Sequence, residues 1–331
     1  MKTERTLSVV IACYKDAGSV QEMYKRLTNI LPAVTTNYEI IFVNDASPDN
    51  AEELITKITE HDERVVLVNH TRNFGSQNAF LSGMKVSRGD AVVLMDGDLQ
   101  DPPKLIPEFV DKWLEGFHIV YGVRVKRKES RFKQAAYKIF YRLFRKLAKF
   151  KIPLDAGDFG LIDRTVVDTL LNHFPEKLVF LRGLRAYTGF RHTGVDYIRE
   201  ERFDGVSTNS FMGNIRWAKL AIFSFSEKPL EYISLLAFFS VILTGIASLF
   251  YLGAYFVNMI AGYGGAPPGY MTLLMAVLFF SSVQLICFSI LAEYLGHIYQ
   301  EIKGRPRYIV RDVIDNRKPP ANSSSKTVQP E

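Results

Sequence analysis

Two carboxylates separated by one glycine carry the clearest chemistry in this chain. Asp96-Gly97-Asp98-Leu99-Gln100-Asp101-Pro102-Pro103 closes the apolar run VVLM. In open α/β sheets, ligands bind outside the carboxyl ends of the strands. Carboxylates at i and i+2 there can share a hard cation with a diphosphate, because Mg²⁺ takes one or two protein carboxylates and fills its shell from substrate phosphates. Gln100 adds a neutral oxygen ligand. A solvated acidic turn would be spelled the same way. What favours the metal reading is a second acidic strand end, Asn44-Asp45-Ala46-Ser47-Pro48-Asp49. Asp45 stands at that tip, where a carboxylate can accept the N3–H of a uracil ring; Ser47 and Asp49 suit helix capping. A third tip, Ala12-Cys13-Tyr14-Lys15-Asp16, can wall a base and ribose. No GxGxxG follows the first strand and no GxxxxGK[ST] occurs, which disfavours NAD and excludes a P-loop.

These tips need a scaffold. Residues 6–14, 38–44, 64–69 and 90–95 are short β-branched runs, nearly continuous in hydrophobicity, as strands covered on both faces are. Helical patterns fall between them at about 18–31, 49–61 and 76–87. The alternation predicts a Rossmann-like, mostly parallel sheet. A helix at 104–116 and strands in HIVYGV, FGLIDR and GVDYIRE follow. Residues 131–150 form a basic amphipathic helix suited to a membrane interface, and 208–226 a second amphipathic helix.

The 331 residues include 41 Lys+Arg, yet mean hydropathy is +0.01. The average hides a stretch of about 60 residues between Glu231 and Glu293 without Lys, Arg, Asp, Glu or His. That is room for two membrane helices, about 232–257 and 271–293. The chain is therefore neither a purely soluble protein nor an all-membrane transporter. Both flanks are basic, which places both on the cytoplasmic side. From Arg124 to Lys151 there are 12 Lys+Arg against one acid, beside a membrane segment; anionic lipid or phosphate fits better than nucleic acid. Cys13 and Cys287 have no disulfide or metal spacing, and no signal peptide precedes the first strand. His70, His118, His192 and His297 lack ligand spacing and read as structural.

VVIACYKD, FVNDASPD, TRNFGSQNA, MDGDLQDPP and AGDFGLIDR occur in that order, followed by two apolar segments and AEYLGHIYQEIKGRPRYIV. This ordered set, spanning about residues 6–312, resembles the polyprenyl-phosphate glycosyltransferases. They are inverting family-two enzymes of the GT-A fold, similar to bacterial undecaprenyl-phosphate glucosyl and aminoarabinose transferases and to dolichyl-phosphate mannose synthase. The resemblance implies that Ala12, Tyr14, Asp16, Asp45 and Asp96 hold the nucleotide sugar and that Asp98 and Gln100 hold Mg²⁺ or Mn²⁺. It implies a base at Asp158, phosphate contacts from Arg124 and Arg131, and acceptor contacts from Arg202 and Ser207. It also implies a homo-oligomer, a tetramer in relatives.

A lipid phosphate has its second pKa near 6 and is largely dianionic at neutral pH. Asp158 is then expected to position the acceptor or an arginine rather than take a proton, or else to be a buried carboxylate bonded to Arg164 or Arg124. Two departures stand out. The family's acceptor-loop Lys is missing, with Thr208 and Asn209 after Ser207; and Gly160 stands where many relatives have Arg, which is expected to bear on sugar recognition.

The expected organisation is a cytoplasmic GT-A domain over 1–205, an interfacial helix over 206–228, a two-helix membrane domain over 229–300 and a cytoplasmic segment with a disordered tail over 301–331. The expected reaction moves one sugar, with UDP-glucose or another UDP-hexose as donor, to undecaprenyl phosphate for envelope glycan modification. The rivals are a diacylglycerol hydroxyl acceptor, a processive synthase whose QxxRW is broken at Gly213, and a non-catalytic nucleotide-sugar-binding scaffold.

Overall fold

The structure, a computed structural model, describes residues 2–124, 156–177, 179–200, 203, 223, 226–261 and 269–317. Arg131, Arg202, Ser207, Thr208 and Asn209, the basic helix at 131–150 and most of the amphipathic segment at 206–228 lie outside the described residues. The chain divides into two units, Met1–Tyr141 with Phe150–Asn214 and Arg305–Glu331, and Arg142–Lys149 with Ile215–Gly304.

The first unit is built on an eight-stranded mixed sheet: β1 (Leu7–Cys13), β2 (Tyr38–Asn44), β3 (Val65–His70), β4 (Ala91–Asp96), β5 (Ile119–Arg124), β6 (Ala156–Asp163), β7 (His192–Tyr197) and β8 (Val310–Asp315). Their order is β7-β5-β6-β4-β1-β2-β3-β8. β3, β2, β1 and β4 are parallel; β6 runs antiparallel between β4 and β5, and β8 antiparallel on β3. Among the described residues of this unit the helices are α1 (Ala17–Val34), α2 (Ala51–His61), α3 (Ser76–Val86), α4 (Ile106–Leu114), α5 (Arg164–Asn172) and α6 (Leu181–Tyr187).

Every residue of β1, β2 and β3 is buried, which their unbroken apolar runs anticipate. Val20, Met23, Leu27 and Leu31 recur at helical spacing on the buried face of α1. Phe42, Phe80, Phe109 and Phe159 are fully buried large side chains of this core. The sequence reading placed the first four strands and helices within a few residues, but β8, α5 and α6 were not anticipated. β7 also ends at Tyr197, short of the strand expected through Glu200.

The second unit contains α7 (Lys228–Ile260) and α8 (Tyr270–Ile302), each of 33 residues. At 1.5 Å per residue each is about 50 Å long, more than the ~30 Å hydrocarbon thickness. Both are long and apolar enough to cross a membrane. They outrun the expected spans because helix geometry does not stop where apolar character stops. Pro229 sits in the first turn of α7, and α8 continues through Glu293 and Glu301. Within this unit the Tyr294 hydroxyl donates to the Ser226 carbonyl at 2.7 Å.

Candidate active site

The tips of β4, β1 and β2 lie side by side. Ala12 is paired with Asp96 on one side and Val43 on the other, and Cys13 with Asn44. Gly97 N–H donates to the Ala12 carbonyl at 2.9 Å. A Cβ on Gly97 would lie 3.1 Å from that carbonyl oxygen and 3.1 Å from Cys13 Sγ, so the glycine between the two carboxylates is what lets the β4 tip close on β1. Lys15, Ala46 and Leu99 have φ of 60°, 51° and 58°, the left-handed region that side chains disfavour. One lies after each of the three strands. Backbone strain of this kind collects at functional loops.

Asp49 accepts the Ala51 N–H at 3.2 Å at the start of α2, and Ser47 and Asp49 also reach across elements. Ser47 Oγ accepts the Lys15 N–H at 2.7 Å, and Asp49 Oδ2 accepts the Ala17 N–H at 3.0 Å at the start of α1. Asp16 Oδ2 accepts the Tyr14 N–H at 3.0 Å, fixing the loop that presents Tyr14. Asp45 is held firmly at the β2 tip. It is 2% exposed, and its oxygens accept the amides of Phe74 at 2.8 Å and Gly75 at 2.7 Å and pair with His70 Nδ1 at 2.7 Å. His70 Nε2 pairs in turn with Ser82 Oγ at 2.8 Å. Placed so, Asp45 braces the 71–75 loop, and His70 links it to Ser82 of α3.

The acidic loop is short of positive charge. Burial, and then Asp101, Asp98 and Asp158, push the Asp96 carboxyl up to about 8. Asp98 is 4% exposed and Asp101 1% exposed. Burial likewise raises Asp101, whose Oδ1 accepts the Tyr197 hydroxyl at 2.5 Å. Arg124 Nε donates to the Tyr197 oxygen at 3.1 Å, so this arginine, expected at a phosphate, is tied into a buried carboxylate–phenol–guanidinium chain. Gln100 Nε2 donates to the Glu200 carbonyl at 3.4 Å and leaves its amide oxygen available. A divalent cation fits this donor set. It would offset the burial and the carboxylate repulsion that raise Asp96, and no cluster of three or more His, Cys, Asp or Glu ligands occurs among the described residues. Two carboxylates and an amide oxygen match a metal that completes its shell from phosphates.

Asp158 belongs to this group by register. β4 and β6 pair as far as Leu94 opposite Gly160; Asp96 and Asp158 lie two residues beyond that pair, and the Asp158 charge acts on Asp96. Its partners are not Arg164 or Arg124 but two arginines of α6. Arg182 Nε and NH2 donate to its two oxygens at 3.1 and 3.0 Å, and Arg185 donates to the carbonyls of Asp158 at 3.2 Å and Gly157 at 2.8 Å. Burial works to raise the Asp158 carboxyl, but Arg182, Arg185 and Gln77 together hold it below the usual carboxylate range. Burial lowers Arg185 to about 10. Arg164 is spent on the carbonyl of Gly89 and on Ser87. Gly160 has no place for an arginine: its Cβ would lie 2.4 Å from the Val120 carbonyl oxygen. The glycine answers to strand packing.

Arg182, Arg185, Gln77, Tyr197 and Arg199 were missed by sequence reasoning. LRGLR at 181–185 carries two arginines at i and i+3, the spacing of one helix face, and that was the available signal.

Residues 8–171 match Glycosyl transferase family 2. The chain is 37% identical over 314 residues to the uncharacterized glycosyltransferase YkcC of Bacillus subtilis, covering 94% of this chain and 95% of that one. It is 35% identical over 309 residues to the SfII prophage-derived bactoprenol glucosyl transferase of Shigella flexneri, covering 92% and 97%. Among solved structures, the mannosyltransferase PcManGT of Pyrobaculum calidifontis, in complex with GDP-Man and Mn²⁺, aligns over 88% of each chain at 18% identity and a TM-score of 0.48. On the strength of the family match and of these near-full-length sequence likenesses, the chain is a glycosyltransferase and belongs to glycosyl transferase family 2.

Proposed function

We propose that this protein transfers one hexosyl unit from a UDP-sugar to undecaprenyl phosphate at the cytoplasmic face of a membrane, with inversion at the anomeric carbon. The observation that carries the reading is the acidic Asp96–Asp98 loop beside the β1 tip, in a chain that aligns along its length, apolar helices included, with a bactoprenol glucosyl transferase. Asp98, with Asp96 and Gln100, would hold Mg²⁺ or Mn²⁺, which when bound stabilises charge on the departing nucleoside diphosphate. Tyr14 and the Asp16-braced loop border the nucleoside. The acceptor phosphate is already dianionic near neutral pH, so attack needs no proton removed from the nucleophile. Asp158 in this reading is a positioning residue that holds the Arg182 fork. A diacylglycerol hydroxyl acceptor would need a base there, and a carboxylate held low by two guanidiniums is a poor one.

The pairing of β8 with β3 supports the topology. Strands before and after α7 and α8 share one sheet, which fits a reading in which both flanks of the apolar pair lie on one side, as an even number of crossings would require.

The test is detergent-solubilised protein with undecaprenyl phosphate, Mn²⁺ and a panel of radiolabelled nucleotide sugars, followed by lipid extraction. Label should enter lipid from one UDP-hexose and fall by at least about 10²-fold in Asp98→Ala. Label entering diacylglycerol instead, or persisting in Asp98→Ala, would sink the proposal.

A further inference from the structure

Arg199 stands two residues beyond β7, between two buried carboxylates. Its NH2 is 3.9 Å from Asp98 Oδ2 and its Nε 4.0 Å from Asp101 Oδ1. Both separations exceed a hydrogen bond, and Nε is buried with no hydrogen-bond partner. Neighbouring guanidiniums are better engaged: Arg182 grips Asp158 bidentately, and Arg124 is bonded to Tyr197. An arginine–carboxylate fork normally closes to about 2.8 Å. At ~4 Å the attraction is Coulombic and imposes little direction.

The backbone around Arg199 is held firmly. Glu200 N–H donates to the Gln100 carbonyl at 3.1 Å, and Phe203 N–H to the Asp98 carbonyl at 3.4 Å. Lys104 Nζ bonds Glu200 Oε1 at 2.8 Å. The result is a loosely directed cation on a strap laced to the acidic loop, facing the carboxylate assigned to the metal.

Resting on the reading that Asp98 takes a divalent cation, we infer that Arg199 is a counter-ion that competes with this cation for Asp98 and, when displaced, serves the donor's diphosphate. A guanidinium and a divalent cation drawn to one carboxylate repel each other. The diphosphate arriving with the metal supplies the negative charge that the guanidinium loses. Metal affinity without nucleotide is thereby held down, and metal and donor each strengthen the other's binding, as linkage requires. Asp101 keeps a partner throughout, through Tyr197.

The experiment is Mn²⁺ titration of the full chain in detergent, read by electron paramagnetic resonance of free Mn²⁺, with and without UDP. Arg199→Gln should tighten nucleotide-free Mn²⁺ binding by about five- to tenfold and shrink the gain that UDP adds. Arg199→Met, similar in length and uncharged, should do the same and stands in if the Gln variant does not fold. Arg199→Lys keeps the charge and loses the fork; it should retain wild-type Mn²⁺ affinity and raise the donor KM. Unchanged or weakened Mn²⁺ binding in the uncharged variants overturns the inference. Asp98→Ala separates the two failures. If it abolishes Mn²⁺ binding while Arg199→Gln changes nothing, only the role of Arg199 falls; if it binds Mn²⁺ like the wild type, the metal reading falls and this inference with it.

Discussion

At the scale of single residues, the site is a balance of buried charges. Asp96 and Asp158 lie just beyond the paired ends of β4 and β6, and burial works to raise both; they are nonetheless shifted in opposite directions, because Asp158 has two guanidiniums and Asp96 has three carboxylate neighbours. This gives two expectations with opposite pH behaviour. In metal-free protein the folded state keeps a proton on Asp96 that the unfolded chain releases near its ordinary value of 3.8. Stability should therefore decline as pH rises from about 4 towards 8. Melting temperatures between pH 5 and pH 8.5 should show this slope in the wild type and lose it in Asp96→Asn, and Mn²⁺ at the upper end should restore stability to the wild type alone. Identical slopes in both proteins would remove the charge deficit assigned to Asp96. Asp158, held low, is ionised throughout that range. The acid limb of kcat should then follow the acceptor phosphate near pH 6, falling as pH drops. Asp158→Asn should reduce kcat by on the order of 10²-fold through misplacement of Arg182 and leave that limb where it was. A limb that vanishes in the variant would make Asp158 the base after all.

Among the elements, β8 has the widest consequences. It pairs along the outer edge of β3, with Val68 opposite Val313 and Leu67 opposite Ile314, and removes an exposed strand edge. Asn69 Nδ2 donates to Asp312 at 2.8 Å, and the Tyr308 ring stacks on His70 at 5.5 Å, behind the loop that Asp45 shapes. At its far end Arg317 forms a buried pair with Glu39, which also accepts Ser8 Oγ and the Arg88 amide, each at 2.6 Å. Removing one member of a buried pair strands the other. Arg317→Ala should cost about 3–5 kcal/mol in denaturant unfolding of the sheet unit; a loss within the range of ordinary surface substitutions, below ~0.5 kcal/mol, would place the pair in water rather than in the protein. In sequence, β8 reads as VRDVID, an apolar and charged mixture too short and too polar to claim a strand unaided. The open edge of β3 makes it one, since unpaired backbone groups there are satisfied by a partner strand.

For the whole molecule, the sheet is assembled from chain on both sides of the apolar pair. A fragment ending at residue 226 lacks α7 and α8 and also β8 and the Glu39 counter-ion. It should melt well below the intact protein, and a synthetic peptide spanning residues 305–317 should raise its melting temperature in a concentration-dependent way. No response to the peptide would show that β8 adds nothing to the stability of the sheet. The two long apolar helices themselves were legible without any structure, because about 60 residues free of charge are enough for two helices each long enough to cross a hydrocarbon layer.

The sequence alone determined the alternation of β1 to β4 with their helices, the apolar pair, and the meeting of the acidic strand ends. Each follows from local hydrophobic period or from the rule that parallel strands present their carboxyl ends together. Tertiary structure decided which carboxylate met which cation. Asp158 and Arg182 are 24 residues apart, and Glu39 and Arg317 are 278 apart. Such pairings have no local period, because they depend on strand order and on which sheet edge a late segment reaches. The same holds for Asp45, whose partners, the amides of Phe74 and Gly75, reach it from the 71–75 loop.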